Sequence, residues 1–99
     1  MSSPPPHPKP AAGAVPVAAA QVTAVGLDDD LVLYDARTTQ AHVLNASAAR
    51  IWQLCDGSRT LAVVIQELST AYGIEYAQAE ADVNELVASL QSAGLLTMI

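Results

Sequence analysis

The spacing of hydrophobic and polar positions changes once along this chain, at Asn45. Before it, apolar residues fall in short β-rich runs separated by polar breaks. Gln21 to Leu27 alternates loosely, and Asp28-Asp29-Asp30 interrupts it with three charges that cannot be buried together. Leu31-Val-Leu-Tyr34 follows as a second run, then the polar turn Asp35-Ala-Arg-Thr-Thr39, then Gln40-Ala-His-Val-Leu44. Runs of this length and β-branched content predict three short strands, antiparallel and joined as hairpins.

After Asn45 the period is helical. Asn45 stands at an N-cap position, and Ala48, Ile51, Trp52 and Cys55 follow on one stripe until Asp56-Gly57 stops it. Thr60 caps a second predicted helix, striped by Leu61, Val64, Ile65, Leu68 and Tyr72 and closed by Gly73. Its β-branched pair lowers helix propensity, so burial must hold it in place. A third helix is expected from about Tyr76 to Ala93, with Ala79, Val83, Leu86, Val87 and Leu90 as its stripe. Glu80, Asp82 and Glu85 load its first half with negative charge, which suits the helix dipole. Gly94 closes it, and Leu95-Leu96 returns to the core. Three strands followed by three helices predict an α+β domain of winged helix-turn-helix type over residues 21–99.

The segment before Gln21 has a different character. All six prolines lie between Pro4 and Pro16, among Ala, Gly, Ser and Val. Such a stretch has little to bury and favours extended conformations, so residues 1–20 are expected to form a disordered tail. Its Ala/Val run faintly resembles a signal peptide, but prolines interrupt it and its side chains are mostly methyls. The chain reads as cytoplasmic, and its single cysteine, Cys55, fits a reducing compartment. No apolar run reaches the ~18 residues of a membrane helix.

Charge narrows the partners. Ten acidic residues oppose four basic ones for a net charge of −6, and nothing basic follows Arg59. Nucleic acid and anionic membrane both need clustered Lys or Arg, so neither is expected as a partner. A DNA-reading winged helix would set Glu67, Glu80, Asp82 or Glu85 against phosphates. An acyl carrier needs a serine preceded by Asp at a helix start. Ser58 instead follows Asp56-Gly57 in a turn, and the strand-rich first half does not fit a carrier.

Catalytic constellations are missing. Cys55 ends an apolar stripe beside Asp56, which would raise rather than lower its pKa. His7 and His42 have no partner at metal-ligand spacing, and Asp28 to Asp30 lacks the alternation of a calcium loop. The five glycines are scattered, with no phosphate-binding loop among them. The expectation is a binding module that is not an enzyme and uses no cofactor or metal.

The blocks Leu44-Asn-Ala-Ser-Ala-Ala-Arg-Ile51, Leu54-Cys-Asp-Gly57, Thr60-Leu-Ala-Val-Val-Ile-Gln-Glu-Leu68, Asp82-Val83 and Ala93-Gly-Leu-Leu96 together resemble PqqD. PqqD is the small accessory protein of pyrroloquinoline quinone biosynthesis and the type member of the recognition elements for ribosomally made, modified peptides. The resemblance spans residues 22–96. It implies a non-catalytic fold of three strands and three helices that binds the leader of a precursor peptide and presents it to a modifying enzyme. That enzyme is a radical SAM protein in the quinone pathway; other members serve lasso peptide proteases. The leader adds as a strand beside the third strand and packs on the third helix. Carried onto this chain, the peptide site is Gln40, Ala41, His42, Val43 and Leu44 with Asp82, Val83, Leu86, Val87 and Leu90. Glu80, Asp82 and Glu85 would rim it and attract a basic leader. Asn45, Cys55, Asp56 and Gly57 belong to the framework. The competing reading is a regulatory or scaffold domain that binds a folded protein. The oligomeric state is left open, since an edge that accepts a peptide can also accept a copy of itself.

Overall fold

The change of period at Asn45 is the joint between a sheet and a helical layer in the computed structural model, which describes residues 13–99. Strands β2 (Val22–Leu27), β3 (Asp30–Asp35) and β4 (Gln40–Leu44) form an antiparallel sheet in sequence order. Helices α1 (Ala46–Leu54), α2 (Leu61–Tyr72) and α3 (Tyr76–Ser92) follow. This is the α+β arrangement of three antiparallel strands and then three helices that the pattern predicts.

The helix ends are set by the residues whose chemistry predicts them. Asn45 Oδ1 accepts the Ala48 amide at 2.9 Å, and Thr60 Oγ1 accepts the Val63 amide at 3.3 Å. Gly73 ends α2 in the left-handed conformation at φ 61°. The helical stripes then meet the inner face of the sheet. Leu31, Leu33 and Leu44 pack with Ile51, Trp52 and Leu54 of α1, Leu61, Val64, Ile65 and Leu68 of α2, and Ala79, Val83, Val87 and Leu90 of α3. Tyr72, expected on the stripe of α2, is instead half exposed at its C-terminal end.

Two further strands lie outside the predicted set. β1 (Pro16–Ala18) pairs antiparallel with β5 (Leu96–Met98), forming a second sheet of two strands. The arm continues across the turn between α1 and α2, where Gly57 N–H donates to Pro16 at 3.1 Å and Leu61 N–H to Ala14 at 2.9 Å. Pro16 is fully buried. The expected tail over residues 1–20 is therefore corrected for residues 13–20, which are part of the fold; residues 1–12 lie outside the described residues. Local composition missed the arm because its stabilising partners are brought to it by the whole chain.

Asp35 ends β3 with its side chain buried. One carboxylate oxygen accepts the Arg37 amide at 2.9 Å and holds the β3–β4 turn. The other has no hydrogen-bond partner among the described residues. Asp28 and Asp29 form the exposed β2–β3 turn.

Candidate functional site

β4 is the outer strand of its sheet: it pairs with β3 on one side and with no other strand among the described residues. Which of its backbone groups face outward follows from one bond. Ala36 N–H donates to Gln21 at 3.2 Å across the β2–β3 ladder, so the even residues of β3 point their amides toward β2. The odd residues Leu31, Leu33 and Asp35 therefore bond to their partners Leu44, His42 and Gln40. The N–H and C=O groups of Ala41 and Val43 are left on the open edge.

Side chains alternate across the same strand. Gln40, His42 and Leu44 share the inner face with Asp35, Leu33 and Leu31; Gln40 is exposed, His42 half-buried and Leu44 buried. Ala41 and Val43 lie on the outer face. Val43 there stands abreast of Val32 and Val25, and Val43, Tyr34, Val25 and Leu27 are exposed.

Beyond Leu44 the edge opens into a groove of about 540 Å³. One wall is the start of α1, with Asn45, Ser47, Ala48 and Ile51. The opposite wall is α3, with Asp82, Glu85, Leu86 and Ser89, and the end of α2 closes the groove with Leu68, Tyr72 and Ile74. Asn45 thus both caps α1 and lines the entrance. Its Oδ1 accepts Ser47 Oγ at 3.1 Å as well as the Ala48 amide.

The α3 residues expected at the site divide between two faces. Asp82 and Leu86 line the groove. Val83 and Val87 are completely buried and Leu90 is 4% exposed, so these three, like the Leu44 side chain, are corrected to core positions. The α3 stripe is consumed in packing on α2 and β5, and residues one turn around its edge are left for a ligand. Of the three expected rim acids, Asp82 and Glu85 are in the groove and Glu80 is outside its lining. Sequence reasoning did not place Ser47, Ala48, Ile51, Leu68, Tyr72, Ile74 or Ser89 at a site. The available signals were the small Ala48 one turn before Ile51 and two apolar residues, Tyr72 and Ile74, flanking the Gly73 stop.

The groove lining holds no cysteine or histidine. Cys55 is buried away from the groove, and burial, reinforced by the adjacent Asp56 carboxylate, pushes its thiol up to about 12. Asp56 itself is held below the usual carboxylate range by hydrogen bonds from the Ser58 hydroxyl and amide, with Arg59 adding to the effect. Among the described residues no three His, Cys, Asp or Glu side chains gather as a metal site, and no helix is long and apolar enough to cross a membrane.

Known proteins share this architecture. The structure of TbiB1 in complex with the TbiA(beta) leader peptide matches with a TM-score of 0.75 at 22% identity, over 81% of this chain and 93% of that one; this likeness speaks to the fold. The structure of lasso peptide synthetase B1 complexed with the leader peptide matches with a TM-score of 0.76 at 30% identity, over 84% of this chain and 98% of that one. A PqqA binding protein of Rhodopseudomonas palustris (strain BisB5) is 38% identical over 50 residues, which are 50% of this chain and 49% of that protein. The chain spans about half the length of that curated relative. The model of the family "Coenzyme PQQ synthesis protein D (PqqD)" matches residues 30–96, from the start of β3 into β5. With the match covering well over half of its length, the chain belongs to the PqqD family.

Proposed function

We propose that this chain binds the leader of a precursor peptide as an added strand on β4, and presents it to a modifying enzyme without catalysing a reaction itself. The carrying observation is the continuity of two features. The open backbone groups of Ala41 and Val43 stand just before Asn45, which itself lines a groove with an apolar floor, although no β4 residue does. An added strand draws affinity from main-chain hydrogen bonds and specificity from side-chain pockets, and this edge and groove offer both. The reading is supported by a relative described as binding PqqA and by two matched structures that hold leader peptides. Within it, Ala41 and Val43 supply the backbone contacts. His42 and Gln40 flank the peptide on the inner face, and Asp82 and Leu86 meet its side chains. The receiving enzyme is a radical SAM protein or another enzyme of peptide modification, acting in the cytoplasm.

Proline substitution along β4 tests the mechanism, using as probe the labelled leader of any short precursor frame that stands beside this gene. Ala41→Pro or Val43→Pro removes an N–H that faces the open edge, so binding is lost while the thermal midpoint stays nearly unchanged. His42→Pro removes an inward donor and unfolds or destabilises the domain. Leader binding that survives both edge substitutions in folded protein rules out strand addition.

A second reading, docking of a folded regulatory or scaffold partner, draws on the exposed outer face of the sheet, where Val25, Leu27, Tyr34 and Val43 are all open to solvent. A gene neighbourhood with enzymes but no short precursor frame would favour it.

A further inference from the structure

We infer that the groove selects leaders carrying two elements on one strand face: an apolar side chain, and a lysine or arginine at even spacing from it. The inference rests on the strand-addition reading and names the chemistry that the site would prefer. Ala48, Ile51, Leu68, Ile74 and Leu86 give the groove an apolar floor, which takes the first element. Asp82 and Glu85 lie one turn apart on α3 in the same lining, and both are exposed.

Among the described residues no Lys or Arg pairs with Asp82 or Glu85. Asp82 accepts a neutral hydrogen bond from Gln78 Nε2 at 3.0 Å. Arg59 is engaged by Asp56 at 2.8 Å and Glu67 at 3.1 Å. Arg37 lies against Gly94 at the far end of α3, and Arg50, exposed on α1, is absent from the groove lining. Glu85 has no ion-pair partner among the described residues. A protein of net charge −6 adds its long-range field to these two local charges. A cation arriving with the ligand therefore meets attraction at the groove that no Lys or Arg among the described residues neutralises.

Strand geometry turns this into a sequence rule. Groove-facing side chains of an added strand recur at every second residue, about 7 Å apart. An apolar residue on the floor and a basic residue against Asp82 and Glu85 must then be separated by an even number of positions. A basic residue at odd spacing would point to the outer face, beside Ala41 and Val43, where the neighbours are Val32 and Tyr34.

Selection of a random 12-residue displayed peptide library on the full chain, repeated on Asp82→Asn/Glu85→Gln and on Ala41→Pro, tests this. The expected result is enrichment on the wild type of an apolar residue with Lys or Arg at even spacing. The double variant should keep the apolar preference and lose the basic one. Individual enriched peptides should bind the double variant roughly fivefold to tenfold more weakly at low salt, a gap that narrows as salt is raised. Enrichment without a basic preference, or equal binding to the double variant, overturns the inference while Ala41→Pro still abolishes binding. Enriched peptides that bind Ala41→Pro undiminished overturn the strand-addition reading beneath it, and the inference with it.

Discussion

Gly57 lies directly against Val17: a Cβ built on Gly57 would stand 3.2 Å from Val17 Cγ2. The glycine is at φ +83°, and its amide donates to Pro16 at 3.1 Å. The turn that ends α1 is thus also the seat of the N-terminal arm. Gly57→Ala should cost roughly 1–2 kcal/mol from left-handed strain, with the methyl contact added. In a domain of this size that lowers the thermal midpoint by about 4–8 °C per kcal/mol. Val17→Ala in the same chain should return the contact part and leave the strain. A double-mutant cycle by thermal unfolding separates the two.

That arm shows where reading the sequence stops short. Asn45, Thr60 and Gly73 were legible because a cap acts on residues three or four away, and the strand and helix periods were legible for the same reason. Pro16-Val-Ala18 has no such local sign; its strand partner Leu96–Met98 lies some 80 positions along the chain. The site divides on similar lines. Asp82 and Leu86 could be assigned to α3 and to a face of it, but the choice between core and groove for Val83, Val87 and Leu90 depends on where α2 and β5 pack. The α1 wall was missed altogether, because Ala48 and Ile51 read as ordinary core positions and Ile51 is in fact both core and groove floor.

Thr39 is the last residue before β4 and sits at φ 57°, a conformation in which a β-branched side chain is strained. Thr39→Gly should relieve roughly 1 kcal/mol of that strain, partly offset by the greater freedom of glycine in the unfolded chain. The expected outcome is an unchanged or raised urea midpoint. A clear fall would mean that the Thr39 hydroxyl bond to the Thr38 carbonyl, 2.6 Å, outweighs the strain.

Cys55 makes stability depend on alkaline pH. In the folded chain burial pushes its thiol up to about 12, whereas in the unfolded chain it ionises near its ordinary value of about 8.5. The folded state therefore binds more protons across that interval. The contribution is fully present below the unfolded value and is lost as pH rises toward the folded one, by up to ~1.4 kcal/mol per pH unit. Urea midpoints between pH 8 and 10.5 should fall more steeply for the wild type than for Cys55→Ala. The variant starts lower at neutral pH because it leaves a cavity. Parallel curves would show that Cys55 is not the titrating group.

Leu86 and Val87 are neighbours in sequence that face different surroundings, and truncating each should give opposite readouts. Val87 is completely buried in the core, so Val87→Ala should cost roughly 1–3 kcal/mol of stability. In the protein that remains folded, the affinity for a leader peptide should be little changed. Leu86 is partly buried at the groove floor, where its outer surface is free for a ligand. Leu86→Ala should therefore cost less stability than a buried truncation, while an apolar anchor on the peptide loses a contact surface. At about 25 cal/mol per Å² of apolar area, removing a few tens of Å² of buried contact weakens binding by about threefold to tenfold. Urea unfolding and peptide titration on the same two proteins check both halves of the statement. Equal losses of affinity in the two variants would mean that peptide binding reports the integrity of the fold, not the groove side of α3, and would remove Leu86 from the site.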